Sequence, residues 1–166
     1  MTAKEVLKML LKSYRGYYNV NEVDPLEPFA AQAHFHSMDQ SYFLMKKAVT
    51  STSETHEYVY FYTAEHITLD DVNRLAQLSW DDGMAQVRPH KEHRNTDVSL
   101  VLIGESIDDD AFEAVKKLRN YKSYKWRFQG WSDFRSVALD LSKKSYVYNQ
   151  KGEPFKKVFK TLIKNL

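Results

Sequence analysis

Apolar residues recur along the chain with two distinct periods, and the alternation between them outlines the elements. Val6, Leu7, Leu10, Leu11 and Tyr14 follow the i, i+3, i+4 spacing of one helix face, with Lys4, Lys8 and Lys12 on the other side. This predicts an amphipathic helix over Ala3–Tyr17. Gly16 and the proline-bearing stretch Asn19–Pro28 then break the pattern. Phe29–Ser37 and Gln40–Thr50 read as two strands around a Met38-Asp39 turn. After a polar turn at Ser51–Thr55, Glu57–Tyr62 reads as a third strand, composed almost wholly of aromatic and β-branched residues.

The helical period returns at Thr68, a good N-cap with Asp70 and Asp71 in the first turn, where the helix dipole favours anions. Val72, Leu75, Ala76 and Ser79/Trp80 carry its apolar stripe towards a break expected near Gly83. Val98–Ile103 is a continuous apolar run, the pattern of a strand covered on both faces. Asp108 precedes a further helix whose inner face is Ala111, Phe112, Val115 and Leu118. Phe134–Leu141 and Ser145–Tyr148 form a hairpin, and Pro154 opens a last helix with Phe155, Val158, Phe159, Leu162 and Ile163 inward. The order α-β-β-β-α-β-α-β-β-α predicts an α/β fold bordering on α+β: a mixed, partly parallel sheet flanked by helices. No repeat or long linker divides the chain, so residues 1–166 are expected to form a single domain.

Composition narrows the functional classes. The chain has no cysteine, which excludes disulfides, iron–sulfur clusters, thiolate-zinc sites and a thiol nucleophile. An aromatic content of 14% excludes a disordered tail. No apolar run reaches the ~20 residues of a membrane span, and Met1–Lys12 lacks the apolar core of a signal peptide. A cytoplasmic location without a membrane partner is therefore expected. Phosphate-loop, dinucleotide-binding and nucleophile-elbow signatures are missing, and no cofactor is expected.

Charge changes the picture more. Residues 1–113 carry a net charge of −9 and residues 114–166 a net of +11, together the +2 of the whole chain. Such a division favours an anionic partner, nucleic acid above all, although the two segments could also neutralise each other within the fold or across a homodimer. Lys116–Phe128 concentrates the basic charge: Lys116, Lys117, Arg119, Lys122, Lys125 and Arg127 alternate with Tyr121, Tyr124, Trp126 and Phe128. Cations hold phosphates while aromatic faces stack on bases, the chemistry of single-strand binding. The candidate binding residues are Lys122, Lys125, Trp126, Arg127, Trp131 and Arg135, with a tryptophan as stacker. The same stretch also suits an ordinary helix end, with its bases where the dipole wants them.

Other constellations are less specific. Asp133 and Arg135 would share one side of a strand. His34 and His36 alternate on one strand face, and His90 and His93 lie in a second segment. Their separation, with Lys91 and Arg94 beside the second pair, argues against a metal site; Arg88, His90, Lys91, His93 and Arg94 read instead as an anion-facing loop. Tyr58, Tyr60 and Tyr62 alternate on another strand and offer either a stacking platform or a buried face.

The segments GWSDFR and VALDLSKKSYVYNQKG within Lys122–Gly152, with Ala33-His34-Phe35-His36-Ser37 and Pro89-His90-x-x-His93, resemble a family of uncharacterised proteins of Gram-positive bacteria. That resemblance implies no particular activity. Helix, three-stranded meander, helix and strand also resemble the core of restriction-endonuclease-like folds in topology. Those enzymes place D/E-x-K on a core strand, whereas Val59 stands where an E-x-K beginning at Glu57 needs lysine. The leading expectation is a non-catalytic binding or regulatory protein whose basic C-terminal third meets an anionic partner. The alternatives are a metal-dependent phosphodiesterase or nuclease using Asp133, Asp140 and the histidines, or a structural homodimer.

Overall fold

The computed structural model describes residues 1–40 and 52–166. Among the described residues four helices cover a seven-stranded mixed sheet: the mixed sheet with flanking helices is the one the periodicities imply, although they outline six strands rather than seven. In chain order the elements are α1 (Ala3–Tyr14), β1 (Asn19–Asn21), β2 (Ala31–Gln40), β3 (Thr52–Ile67), α2 (Leu69–Gln86), β4 (His93–Ile107), α3 (Asp109–Lys117), β5 (Tyr121–Ser123), β6 (Trp131–Asp140), β7 (Ser145–Tyr148) and α4 (Phe155–Lys164). The sheet order is β1-β2-β3-β4-β6-β5, with β7 also paired to β6. β3, β4 and β6 are mutually parallel, and every other pairing is antiparallel.

Each central strand divides its side chains between two cores. Val59, Phe61, Val101, Ile103, Val137 and Leu139 pack under α1 and α4. Tyr60, Val98, Leu100, Leu102, Phe134 and Ala138 pack under α2 and α3. This double burial is why Val98–Ile103 is apolar at nearly every position. The crossovers β3-α2-β4 and β4-α3-β5-β6 step the same way across the sheet and carry their helices on the same face, as a common handedness requires. The strand order therefore never reverses among the parallel strands. The crevice that such a reversal opens at the carboxyl ends of strands does not form.

Several expectations need correction. Met38 and Asp39 are not a turn: β2 runs through them and pairs Met38 with Glu54 and Asp39 with Ser53. The strand expected over Gln40–Thr50 lies, beyond Gln40, outside the described residues. The polar turn placed at Ser51–Thr55 is the start of β3 from Thr52 onward. Gly83 does not break α2. It is buried against Val98, so the missing side chain lets helix and strand approach closely. Tyr60 is a core residue whose hydroxyl donates to Asp82 (2.6 Å), so Tyr58, Tyr60 and Tyr62 do not form an open platform. Among the described residues no helix is long and apolar enough to cross a membrane.

Candidate functional site

Polar side chains gather at the amino-terminal ends of the three parallel strands. On the α1/α4 face, Glu57, Asp97 and Asp133 stand side by side in register across β3, β4 and β6. Arg135, one pleat further along β6, reaches back to bind Asp97 (Nη2–Oδ2, 2.8 Å) and approaches Glu57 (3.8 Å). Glu57 also accepts from the Tyr18 hydroxyl (2.6 Å) and from Ser99 (2.9 Å). Lys151 lies 3.7 Å from Asp133. Above this row a cleft of about 350 Å³ opens between α1 and α4, lined by Tyr14, Tyr17, Tyr18, Glu57, Arg135 and Phe155.

Burial pushes the Asp97 carboxyl up, Arg135 pulls it down, and Glu57 and Asp133 push it up again, leaving it at about 6. Between pH 4 and 6 the native protein thus keeps a proton that the unfolded chain has released. The Asp97 contribution to stability therefore falls as pH rises through that window, opposite in sign to those of His34 and His56, whose charged forms burial disfavours in the native state. Urea titrations of wild type and Asp97→Asn should differ in slope, with the wild type losing on the order of 2 kcal/mol relative to the variant across the window. An Asp97→Asn protein with the wild-type slope would sink this assignment.

On the α2/α3 face the β2–β3 register sets His34 opposite Tyr58 and His36 opposite His56, with Glu54 two residues before His56. Glu54 Oε1 meets His56 Nε2 (2.7 Å) and His36 Nε2 (3.0 Å), while Oε2 meets His90 Nε2 (2.5 Å). His34 Nε2 lies 3.0 Å from His56 Nδ1, and the His34 ring stacks on Tyr58. Two pairs of histidines that are distant in sequence thus send members to one carboxylate. Glu54 was missed because Ser51–Thr55 reads as a turn, and His56 because it falls between that turn and the strand read from Glu57. Their spacing of two on an extended chain was the available signal.

The anion-facing loop does not hold together. Arg88 is tied to the carbonyls of Ala85 and Val87 at the end of α2, His90 is bound to Glu54, and His93 is buried. Its Nδ1 contacts the carbonyl oxygen of Gln129 (2.5 Å), and its Nε2 contacts Thr96 (2.9 Å).

That contact fastens the basic–aromatic segment to the same edge. Lys122 lies on the short, wholly exposed edge strand β5, and residues 124–130 form the turn into β6. Lys125, Trp126 and Arg127 have positive φ (45°, 56° and 71°), followed by Gly130 at 84°. The turn closes through Tyr124 N–H to Gly130 and Gln129 N–H to Tyr124. Trp126 is 91% and Phe128 82% exposed. The Arg127 guanidinium lies over the Trp131 ring (4.6 Å), and the Trp131 indole N–H donates to Asp133 (3.1 Å). Trp131 is therefore engaged within the fold, whereas the Trp126 ring stands in solvent. Beside the hairpin a groove of about 380 Å³ is lined by Arg119, Tyr121, Asp133 and Lys151, among others.

Of the six expected binding residues, Lys122, Lys125, Trp126, Arg127 and Trp131 share this hairpin. Arg135 does not: it is committed to carboxylates in the neighbouring cleft. Asp133, Asp140 and the histidines are not brought together either. Asp140 lies at the opposite end of β6 from Asp133, roughly 23 Å away at the rise of a strand. There it is buried and accepts from Ser142, Lys143 and Ile107. Burial raises its pKa, but those hydrogen bonds outweigh it and hold it below the usual range.

Residues 2–161 match the family model described as Domain of unknown function (DUF8052). No curated protein and no solved structure matches the chain.

Proposed function

The chain belongs to the DUF8052 family of unknown function, and on that premise we propose that it binds single-stranded nucleic acid through the β5–β6 hairpin. The observation that carries this reading is the pair of large aromatics, Trp126 and Phe128, held almost fully in solvent between Lys122, Lys125 and Arg127. Exposing such rings costs hydrophobic stabilisation that burial would recover. A base stacked on the indole recovers it, while the flanking cations hold the adjoining phosphates. Arg119 beside the hairpin extends the positive track. The reading requires no chemistry on the strand, since Asp133 is bound by Trp131 and Lys151 and Arg135 is neutralised.

Fluorescence anisotropy of labelled DNA and RNA oligonucleotides, at low and near-physiological salt, tests it. Single strands should bind more tightly than duplexes, with an affinity that falls steeply as salt rises. Trp126→Ala should weaken binding by 1–3 kcal/mol, about 5- to 150-fold, without moving the unfolding midpoint, because the side chain touches little of its own fold. Absence of binding at low salt, or a Trp126→Ala protein that binds as the wild type does, would remove the hairpin as a nucleic-acid interface.

A further inference from the structure

We propose that His36, His56 and Glu54 form a three-ligand site for a divalent first-row transition-metal ion, held from behind by His34 and His90. The three ligating atoms lie within 4.8 Å of one another. The two contacts that Glu54 Oε1 makes, 2.7 and 3.0 Å, are already close to the roughly 3.3 Å that separates neighbouring ligands on a tetrahedral ion with bonds near 2.0–2.1 Å. A small outward movement of the three side chains opens the space an ion needs.

The hydrogen bonds divide the histidines into ligands and supports. His90 Nδ1 accepts from the backbone N–H of Glu92 (3.2 Å), so the neutral ring carries its proton on Nε2 and donates it to Glu54 Oε2. His90 is therefore fixed as a donor and is not a ligand: it orients the carboxylate and leaves Oε1 turned to His36 and His56. His56 differs. When its Nε2 binds the ion, its proton moves to Nδ1, and His34 Nε2 stands 3.0 Å away to accept it. A ligating imidazole with its other nitrogen held by a hydrogen-bonding partner is the usual arrangement at metal centres. β2 and β3 set the spacing, because His36 and His56 are direct cross-strand partners.

Two imidazoles and one carboxylate suit zinc, iron(II), nickel or manganese better than the all-oxygen preference of calcium or magnesium. Three protein ligands leave coordination positions for water or a small ligand, as in reactive rather than purely structural centres. His36 is the exposed member, its side chain 43% accessible, so the open positions face solvent. This inference is independent of nucleic-acid binding, and its readouts use the ion alone.

Tag-free protein stripped with chelator should take up one zinc per chain by calorimetry, and cobalt(II) should develop visible d–d absorption on binding. Glu54→Gln and His56→Ala should each weaken zinc binding by well over tenfold, and His90→Ala by roughly tenfold, as loss of an outer partner does. His66→Ala should leave it unchanged, since His66 pairs with Asp108 at the far end of the sheet. Should the ligand variants fail to fold, wild-type protein supplies the same answer through diethyl pyrocarbonate: zinc should shield His36 and His56 while His66 still reacts. Sub-stoichiometric uptake, unchanged binding in Glu54→Gln or His56→Ala, or modification of His36 and His56 that zinc does not slow would overturn the proposal.

Discussion

Arg135→Ala is expected to cost about 3 kcal/mol of stability, the lower end of the loss that removing one partner of a buried ion pair produces. The reason lies in register. Glu57, Asp97 and Asp133 are adjacent across three parallel strands, and Arg135 supplies the guanidinium that bridges the first two. Without it, the side chains of Asp97 and Glu57, 8% and 12% accessible, face each other beneath α1 and α4 with, among the described residues, Tyr18, Ser99 and Asn95 as their hydrogen-bond donors. Arg135→Lys should recover part of the loss, because a lysine restores the charge but not the fork that reaches both carboxylates. Adding Asp97→Asn to Arg135→Ala should also restore part of it, since the orphaned charge is then gone. Chemical denaturation at pH 7 decides the matter; an Arg135→Ala protein within 0.5 kcal/mol of wild type, roughly the scatter of surface substitutions, would show that water replaces the guanidinium.

Gly130→Ala is expected to be of comparable size, by a different cause. Gly130 combines a φ of +84° with a position against β4, where an added Cβ would overlap the Arg94 carbonyl oxygen and lie 2.7 Å from both its carbon and His93 Nδ1. Neither obstacle is a flexible side-chain end. The left-handed conformation costs an alanine roughly 1–2 kcal/mol, and the overlap adds an overpacking cost of about 1–3 kcal/mol. Relief requires the hairpin to pull away from the 90–94 segment and break the His93–Gln129 contact. We expect a loss of about 3 kcal/mol together with faster proteolysis at residues 124–130. A wild-type midpoint with unchanged proteolysis would mean that the turn yields without cost.

Where apolar residues keep a period, the chain is readable without coordinates. The stripe of α1, the doubly buried β4 and the inner face of α4 are written directly in Val6–Tyr14, Val98–Ile103 and Phe155–Ile163. Departures occur where the local pattern is polar or short. Strand β5 is three exposed residues with no inward face, so it carries no periodic signal and is held by pairing with β6 alone. The start of β3 is polar because its side chains serve the Glu54 cluster and the Glu57 row, which makes a strand look like a turn. Gly83 suggests an end to α2 because a glycine that stops a helix and one that admits a neighbouring valine look alike in a sequence.

The candidate sites divide in the same way. The basic–aromatic hairpin is a contiguous segment, so its residues can be grouped from the sequence alone. The histidine–glutamate cluster joins two strands and the segment before β4, and the carboxylate row joins three strands, so their membership depends on register, which a one-residue slip would reverse. That dependence also explains Arg135. Its charge groups it with the lysines of the C-terminal third, whereas its position on β6 delivers it to Asp97.

The run of left-handed backbone at Lys125, Trp126 and Arg127 bears on how quickly a partner can be captured and let go. A loop that orders only on contact charges its ligand the entropy of that ordering. Here the turn has been shaped during folding, closed by its own hydrogen bonds and pinned to His93. Under the proposed function, an arriving strand meets a turn already closed by these hydrogen bonds, and little conformational freedom is forfeited on the protein's behalf. Recognition at this hairpin should consequently proceed by docking rather than by coupled folding, with a small change in heat capacity for the contact area and an association rate governed mainly by charge.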